Sequence, residues 1–271
     1  MTFAPFEPAP RMMLKDTRAA KVAEVWLVDL ARSAAALQGL EQEAPRLGAR
    51  ERAAILARKD AAVRQKRLIA HVALRVLLER ALGTGVRGTE LERPLGAKPR
   101  LPGGAGVEFS LAHGEEAALI GLARGAAIGV DLERVRPLRI AKARRERILW
   151  AGAALLAAEP LEAPAEEAFM RAWVRLEALA KADGAGLART LAAVGVRQGG
   201  PPDGRSEVAA RVESHLSHTG LRVHDLAPPR GSVAALALDR AVRAPLLRAF
   251  PVDRAGIEAL LREPALDHPA A

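Results

Sequence analysis

Two acidic segments constrain this chain more than anything else in it. Residues 129–133 read Gly-Val-Asp-Leu-Glu, and residues 173–181 read Trp-Val-Arg-Leu-Glu-Ala-Leu-Ala-Lys. The first alternates in the manner of a strand. Successive side chains then point to opposite faces, so Asp131 and Glu133 share one face roughly 6.5–7 Å apart while Val130 and Leu132 turn to the core. In the second segment Trp173, Glu177 and Lys181 recur every four residues, which on a helix makes one stripe with a rise of about 6 Å per step. Two like charges on one strand face repel unless something positive lies between them. A fold that brings the helix stripe over the strand gathers three carboxylates and an amine, a site for a divalent cation and a phosphate-bearing substrate. Mg²⁺ suits such a site because it takes oxygen ligands and keeps waters that substrate oxygens can replace.

Each segment also has a plainer explanation. Arg134 and Arg136 could neutralise an exposed strand end. Glu177 and Lys181 could form a surface ion pair worth a few tenths of a kcal/mol. What sets Lys181 apart is scarcity: the chain has 7 lysines among 41 basic residues, the rest being arginine. A lysine can exchange a proton where an arginine cannot.

The 271 residues, 50% of them hydrophobic and 27% charged, suffice for one large domain or two small ones with a core that needs no staples. With no cysteine there are no disulfides, thiolate metal sites or cysteine nucleophiles, and a reducing compartment fits. Residues 1–10 lack the basic and apolar regions of a signal peptide, and no stretch approaches the roughly 20 apolar residues of a membrane span. The expected location is the cytoplasm, with no membrane partner. The formal charge of +9 fits an acidic partner, though biased codon usage would also produce an arginine-rich chain. Nucleic acid is not the expected partner, since aromatic residues make up 3% of the chain and tyrosine is absent.

Along the chain, residues 1–20 read as a flexible N-terminal extension. A first strand is expected over 21–30, helices over 47–58 and 62–82, and a stop at Gly83. That glycine opens a literal GxGxxG at 83–88, but the run closes a helix instead of leaving a strand, so it reads as a cap and turn. Strands are expected over 107–113, 117–123 and 129–133, and helices near 140–158 and 165–182. Further strands are expected near 191–196, 209–215, 221–225 and 233–238, with a turn over 199–204 and a short helix over 254–262. The pattern predicts an α+β chain of two pseudo-symmetric halves, 21–127 and 128–250, with the metal site in the second and a helix and tail over 251–271. A cleft between such halves would hold the active site.

His113 follows an apolar strand and precedes Gly114, so it is either a satisfied core histidine or a donor to phosphate. Arg52, Lys66, Arg67 and Lys98 are solvated basic residues unless they converge as a phosphate pocket. The run His215-Leu216-Ser217-His218 is expected in a strand or turn and is a weak metal motif. GxxxxGK[ST], HExxH and GxSxG are absent.

Taken in order, Lys98-Pro99, the 107–113 strand ending in His113, Gly-Val-Asp-Leu-Glu at 129–133, and the 173–181 helix followed by Gly184 and Gly186 resemble one family. The chain resembles the 4′-phosphopantetheinyl transferases of the larger, pseudo-dimeric surfactin-synthetase-activating (Sfp) type, over roughly residues 47–190. The resemblance implies a monomer that transfers phosphopantetheine from coenzyme A to a serine of an apo-carrier protein, acyl or peptidyl, with Mg²⁺ as cofactor. Carriers of this class tend to be acidic. By the same resemblance Asp131, Glu133 and Glu177 are the metal ligands, and Glu177 and Lys181 the catalytic pair. His113 would contact coenzyme A phosphates, Lys98 the adenine and 3′-phosphate end, and Arg52 with Lys66 or Arg67 the remaining anionic groups. Ala112, Ile55 and Leu176 depart from the family pattern, which more often has serine, a basic residue and lysine there. Ala112 and Ile55 motivate an alternative, a non-catalytic relative that binds coenzyme A or a carrier as a scaffold, whereas Leu176 adds apolar surface that a helix tolerates.

Overall fold

The computed structural model describes residues 21–94, 98–104, 106–156, 163–196 and 204–263. Its elements in chain order are β1 (Val22–Asp29), α1 (Ala34–Glu43), α2 (Ala49–Leu56), α3 (Ala61–Leu82), β2 (Val107–His113), β3 (Ala117–Arg124), β4 (Ile128–Arg134), α4 (Lys142–Ala154), α5 (Ala165–Asp183), α6 (Leu187–Ala193), α7 (Arg205–Thr219), β5 (Leu221–Leu226), β6 (Ser232–Asp239), β7 (Leu246–Ala249) and α8 (Arg254–Arg262). The fold is α+β, with two sheets and eight α-helices among the described residues. None of those helices is long and apolar enough to cross a membrane.

Contacts divide the described chain into two units. The first takes residues up to 93, 99–126 and 242 onward; the second takes 94–98 and 127–241. In the first, a sheet of order β2-β3-β1-β7 carries the long helix α3 with α1, α2 and α8. Asp60 caps α3 by accepting from the Val63 amide at 3.0 Å. Gly83 ends it with φ at 84°, a left-handed value that costs glycine nothing. The GxGxxG run is therefore a cap followed by a single 3₁₀ turn, Thr84–Val86. Trp26, Ile69, Leu77, Ile120, Phe250 and Ile257 are among the buried side chains of this core.

In the second unit an antiparallel sheet of order β4-β6-β5 lies under α5, with α4 and α6 against that helix and α7 packed on α4. Phe169, Met170, Leu176 and Leu179 of α5 pack with Val233, Ala235 and Ala237 of β6. The two sheets repeat one order. In each unit a first strand (β1 or β4) precedes the long helix (α3 or α5), a hairpin follows (β2-β3 or β5-β6), and the hairpin's second strand lies centrally beside the first.

Several expectations need correction. Residues 191–196 and 209–215 are not strands. Leu191 belongs to α6, and Val208, Val212 and Leu216 are buried at four-residue steps on α7, which is helical spacing. α1 and β7 were not foreseen. β7 pairs parallel with β1, which carries residues 242 onward back to the first unit instead of keeping 128–250 together. The expected turn over 199–204 and the 1–20 extension fall, apart from Gly204, outside the described residues.

Candidate active site

The chemistry-bearing residues of the second unit meet where α5 crosses β4. Strand alternation puts Gly129, Asp131 and Glu133 on one face, opposite Ala237, Ala235 and Val233 of β6. Those β6 residues belong to the core beneath α5, so the carboxylate-bearing face is the helix-covered one. Val130 and Leu132 are buried as expected, and the carboxylate-bearing face is buried as well, with Asp131 itself 3% exposed.

Gly129 makes the crossing close. A Cβ there would collide with the carbonyl oxygen of Ala178 and the amide nitrogen of Ala182, and would stand 3.0 Å from the Lys181 carbonyl carbon. Helix backbone thus rests directly on strand backbone, and Lys181, in the last turn of α5, can reach the strand. Its Nζ donates to Asp131 Oδ1 at 2.6 Å and to the Val130 carbonyl at 3.1 Å. Lys98 Nζ donates to the Ile128 carbonyl at 3.2 Å. Because β4 is the edge strand of its sheet, these carbonyls two residues apart lie along one edge, and two of the chain's few lysines cap it.

Electrostatics marks the same place. Glu177 is pushed up to about 7, first by burial and then by the charge of Asp131, against the opposing pull of Lys181. Asp131 is also raised, by burial first, and the Lys181 ammonium and its hydrogen bond offset part of that rise. The charge of Glu133 acts on both. These are like charges gathered beneath a helix, the condition a cation relieves.

The expected three-carboxylate grip is only partly assembled. Glu133 accepts from Arg136 at 2.7 Å, the pairing that the sequence also allowed, because it stands at the exposed end of β4. Among the described residues no three histidine, aspartate or glutamate side chains are grouped to hold a metal ion. Asp131 and Glu177 nonetheless fit one. Asp131 Oδ2 is buried and has no hydrogen-bond partner, and Mg²⁺ commonly takes one or two carboxylates with waters and substrate phosphates completing its shell.

The first unit holds the other candidates. Arg52, on α2, gives Nη2 to Glu41 at 2.5 Å. Lys66 and Arg67 are adjacent on α3 and therefore face different ways. The charge of Lys66 acts on the helix cap Asp60. Arg67 is pushed down by burial and then by the charges of Arg58 and Arg93. His113 ends β2. Of the three positions that depart from the resembled pattern, Ile55 and Leu176 are core side chains of their units, and Ala112 is buried in β2. The weak His215–His218 motif lies on α7, with His215 Nε2 3.6 Å from Asp183 Oδ2. Sequence reading passed over Glu51, His71 and Arg75, whose buried network no local motif signals, and over the spacing role of Gly129.

The β4–α5 crossing lies within a stretch of known type. Residues 127–236 match the family model of the 4′-phosphopantetheinyl transferase superfamily. The match begins where the second unit resumes at residue 127, and it contains Gly129, Asp131, Glu133, Glu177 and Lys181. No curated protein matches the chain.

Proposed function

We propose that this protein transfers the 4′-phosphopantetheine group of coenzyme A to a serine of an acidic apo-carrier protein, acyl or peptidyl, releasing 3′,5′-ADP. In this reading it is a cytoplasmic monomer of the larger, two-halved Sfp type. The observation that carries the proposal is the clasp of Lys181 on Asp131 at 2.6 Å beside Glu177, inside the stretch that matches the superfamily. The formal charge of +9 suits an acidic protein substrate.

Asp131 and Glu177, joined by Glu133 in exchange for Arg136, would hold Mg²⁺, which when bound supplies charge neutralisation at the pyrophosphate. The chain's own residues do the rest. A carboxylate oxygen of Glu177 accepts the proton of the serine hydroxyl as its oxygen bonds to the pantetheine-bearing phosphorus. The bond from that phosphorus to the oxygen of 3′,5′-ADP breaks. Two N–H donors of Lys181 go to Asp131 and Val130, and the third meets the departing ADP oxygen. Lys98, Arg52, Arg67 and His113 would bind the other anionic groups of coenzyme A. Positioning and electrostatics suffice, and no covalent enzyme intermediate is needed.

The test is intact-mass analysis of apo-carriers incubated with the protein, coenzyme A and Mg²⁺. One phosphopantetheine is expected on the carrier serine, and Glu177→Gln should slow the reaction on the order of 100-fold or more. Full activity in Glu177→Gln would remove its assigned role. No modification of any acidic carrier in a panel would remove the function.

A further inference from the structure

Arg67, His71 and Arg75 follow one another at four-residue steps on α3 and so share one face of it. Glu51 of α2 meets that face. Its Oε1 lies 2.6 Å from His71 Nδ1, and its Oε2 accepts from Arg75 Nε at 2.9 Å and Nη2 at 2.5 Å. Its charge also acts on Arg67. Glu51, His71 and Arg75 are all buried. Burial would raise the Glu51 carboxyl, but the His71 hydrogen bond and the Arg75 charge outweigh it and hold the group below its ordinary value. An ionised carboxylate only accepts, so Nδ1 of His71 carries the proton and donates it.

With one ring nitrogen fixed, the His71 ring has a single orientation. It meets the His113 ring edge-on, with centroids 6.4 Å apart and planes at 62°. One helical turn from His71 on the same face, Arg67 is pushed down first by burial and then by the like charges of Arg58 and Arg93, which a bound anion would relieve. Stability alone does not call for this arrangement, because apolar residues of similar volume often serve a buried site as well as an ion pair does.

We propose that His71 is a positioning residue: clamped by Glu51, it holds the His113 ring in place so that His113 and Arg67 together receive a phosphate group of coenzyme A. The proposal rests on the reading of His113 as a coenzyme A phosphate contact. A ring held in advance loses less conformational freedom on binding, so the benefit falls on affinity and not on turnover.

The test is a double-mutant cycle on the full chain, with the Kd of coenzyme A measured by calorimetry and folding checked by circular dichroism. His71→Asn keeps an N–H near Glu51 but lacks the ring; His71→Phe keeps a ring but lacks the N–H. Each should weaken binding roughly five- to tenfold, raise KM for coenzyme A and leave kcat unchanged. In a His113→Ala background neither should weaken it further. Glu51→Gln should show the same dependence on His113, and it serves if the His71 variants do not fold. Additive losses, with His113→Ala itself weakening binding, overturn the positioning role alone. Native affinity in His113→Ala, or no binding of coenzyme A by the native chain, overturns the phosphate reading and the positioning role with it.

Discussion

Both units join their first strand to their long helix through a carboxylate and a cation, and the choice of cation separates structure from chemistry. In the first unit Arg80 of α3 holds Glu24 of β1 with a two-pronged contact at 2.6 and 3.0 Å, and its guanidinium lies 5.5 Å from the Trp26 ring centroid. In the second unit the corresponding contact is Lys181 with Asp131. A guanidinium is permanently charged and its fork is consumed by the carboxylate; an ammonium keeps a further donor and can give up a proton. Lys181→Arg should therefore preserve the clasp and separate these roles. A Tm within a few degrees of native is expected from thermal unfolding, while carrier modification falls on the order of 100-fold or more. Near-native turnover with arginine would mean that only the positive charge matters, and the part assigned to the third Lys181 donor would be lost.

At the scale of elements, the site depends on how closely α5 lies on β4, and Gly129 sets that distance. Adding a methyl group there forces helix and strand backbones apart, because the atoms it meets are main-chain and cannot rotate away. Gly129→Ala should destabilise the protein by about 1–3 kcal/mol or more in urea unfolding. Turnover should fall beyond what the folded fraction explains, since Lys181 and Glu177 are carried away from Asp131. Native activity and stability would show that the crossing tolerates expansion. This packing was half legible in the sequence. Alternation placed Asp131 and Glu133 on one face, and the four-residue step aligned Glu177 with Lys181, because those periods are local. Which face α5 would cover depends on the small residues Gly129, Ala235 and Ala237 meeting across strands distant in sequence, and no local period reports that. The same limit explains α7: valines at 208 and 212 suit a strand by propensity, yet their burial follows the helical step that continues to Leu216. β7 is four residues long with Leu246 exposed, so neither length nor alternation announced it. Glu133, read correctly onto its face, turned to Arg136 because an exposed strand end lets the nearer charge prevail.

For the whole molecule, the distribution of buried carboxylates gives the first unit its own response to acid. Burial would raise Glu51 and Glu79, yet both are held below their ordinary value of 4.5, Glu51 by His71 and Arg75 and Glu79 by Arg87 and Arg46. A carboxyl whose pKa is depressed by folding stabilises the fold when ionised. That contribution is complete above the unfolded value and is lost as pH falls through the folded one. Stability of the first unit should therefore decline as pH drops below about 4.5. Trp26 is buried in that unit, whereas Trp150 and Trp173 pack against the other core, so the paired changes Trp150→Phe and Trp173→Phe leave fluorescence that reports the first unit alone. Urea midpoints followed at Trp26 should fall between pH 5 and pH 3, and Glu51→Gln, which removes one of these two buried carboxyls, should flatten that fall. An equally steep acid limb in Glu51→Gln would show that the His71 and Arg75 contacts do not favour the ionised carboxylate, and the fixed orientation of the His71 ring would lose its electrostatic basis.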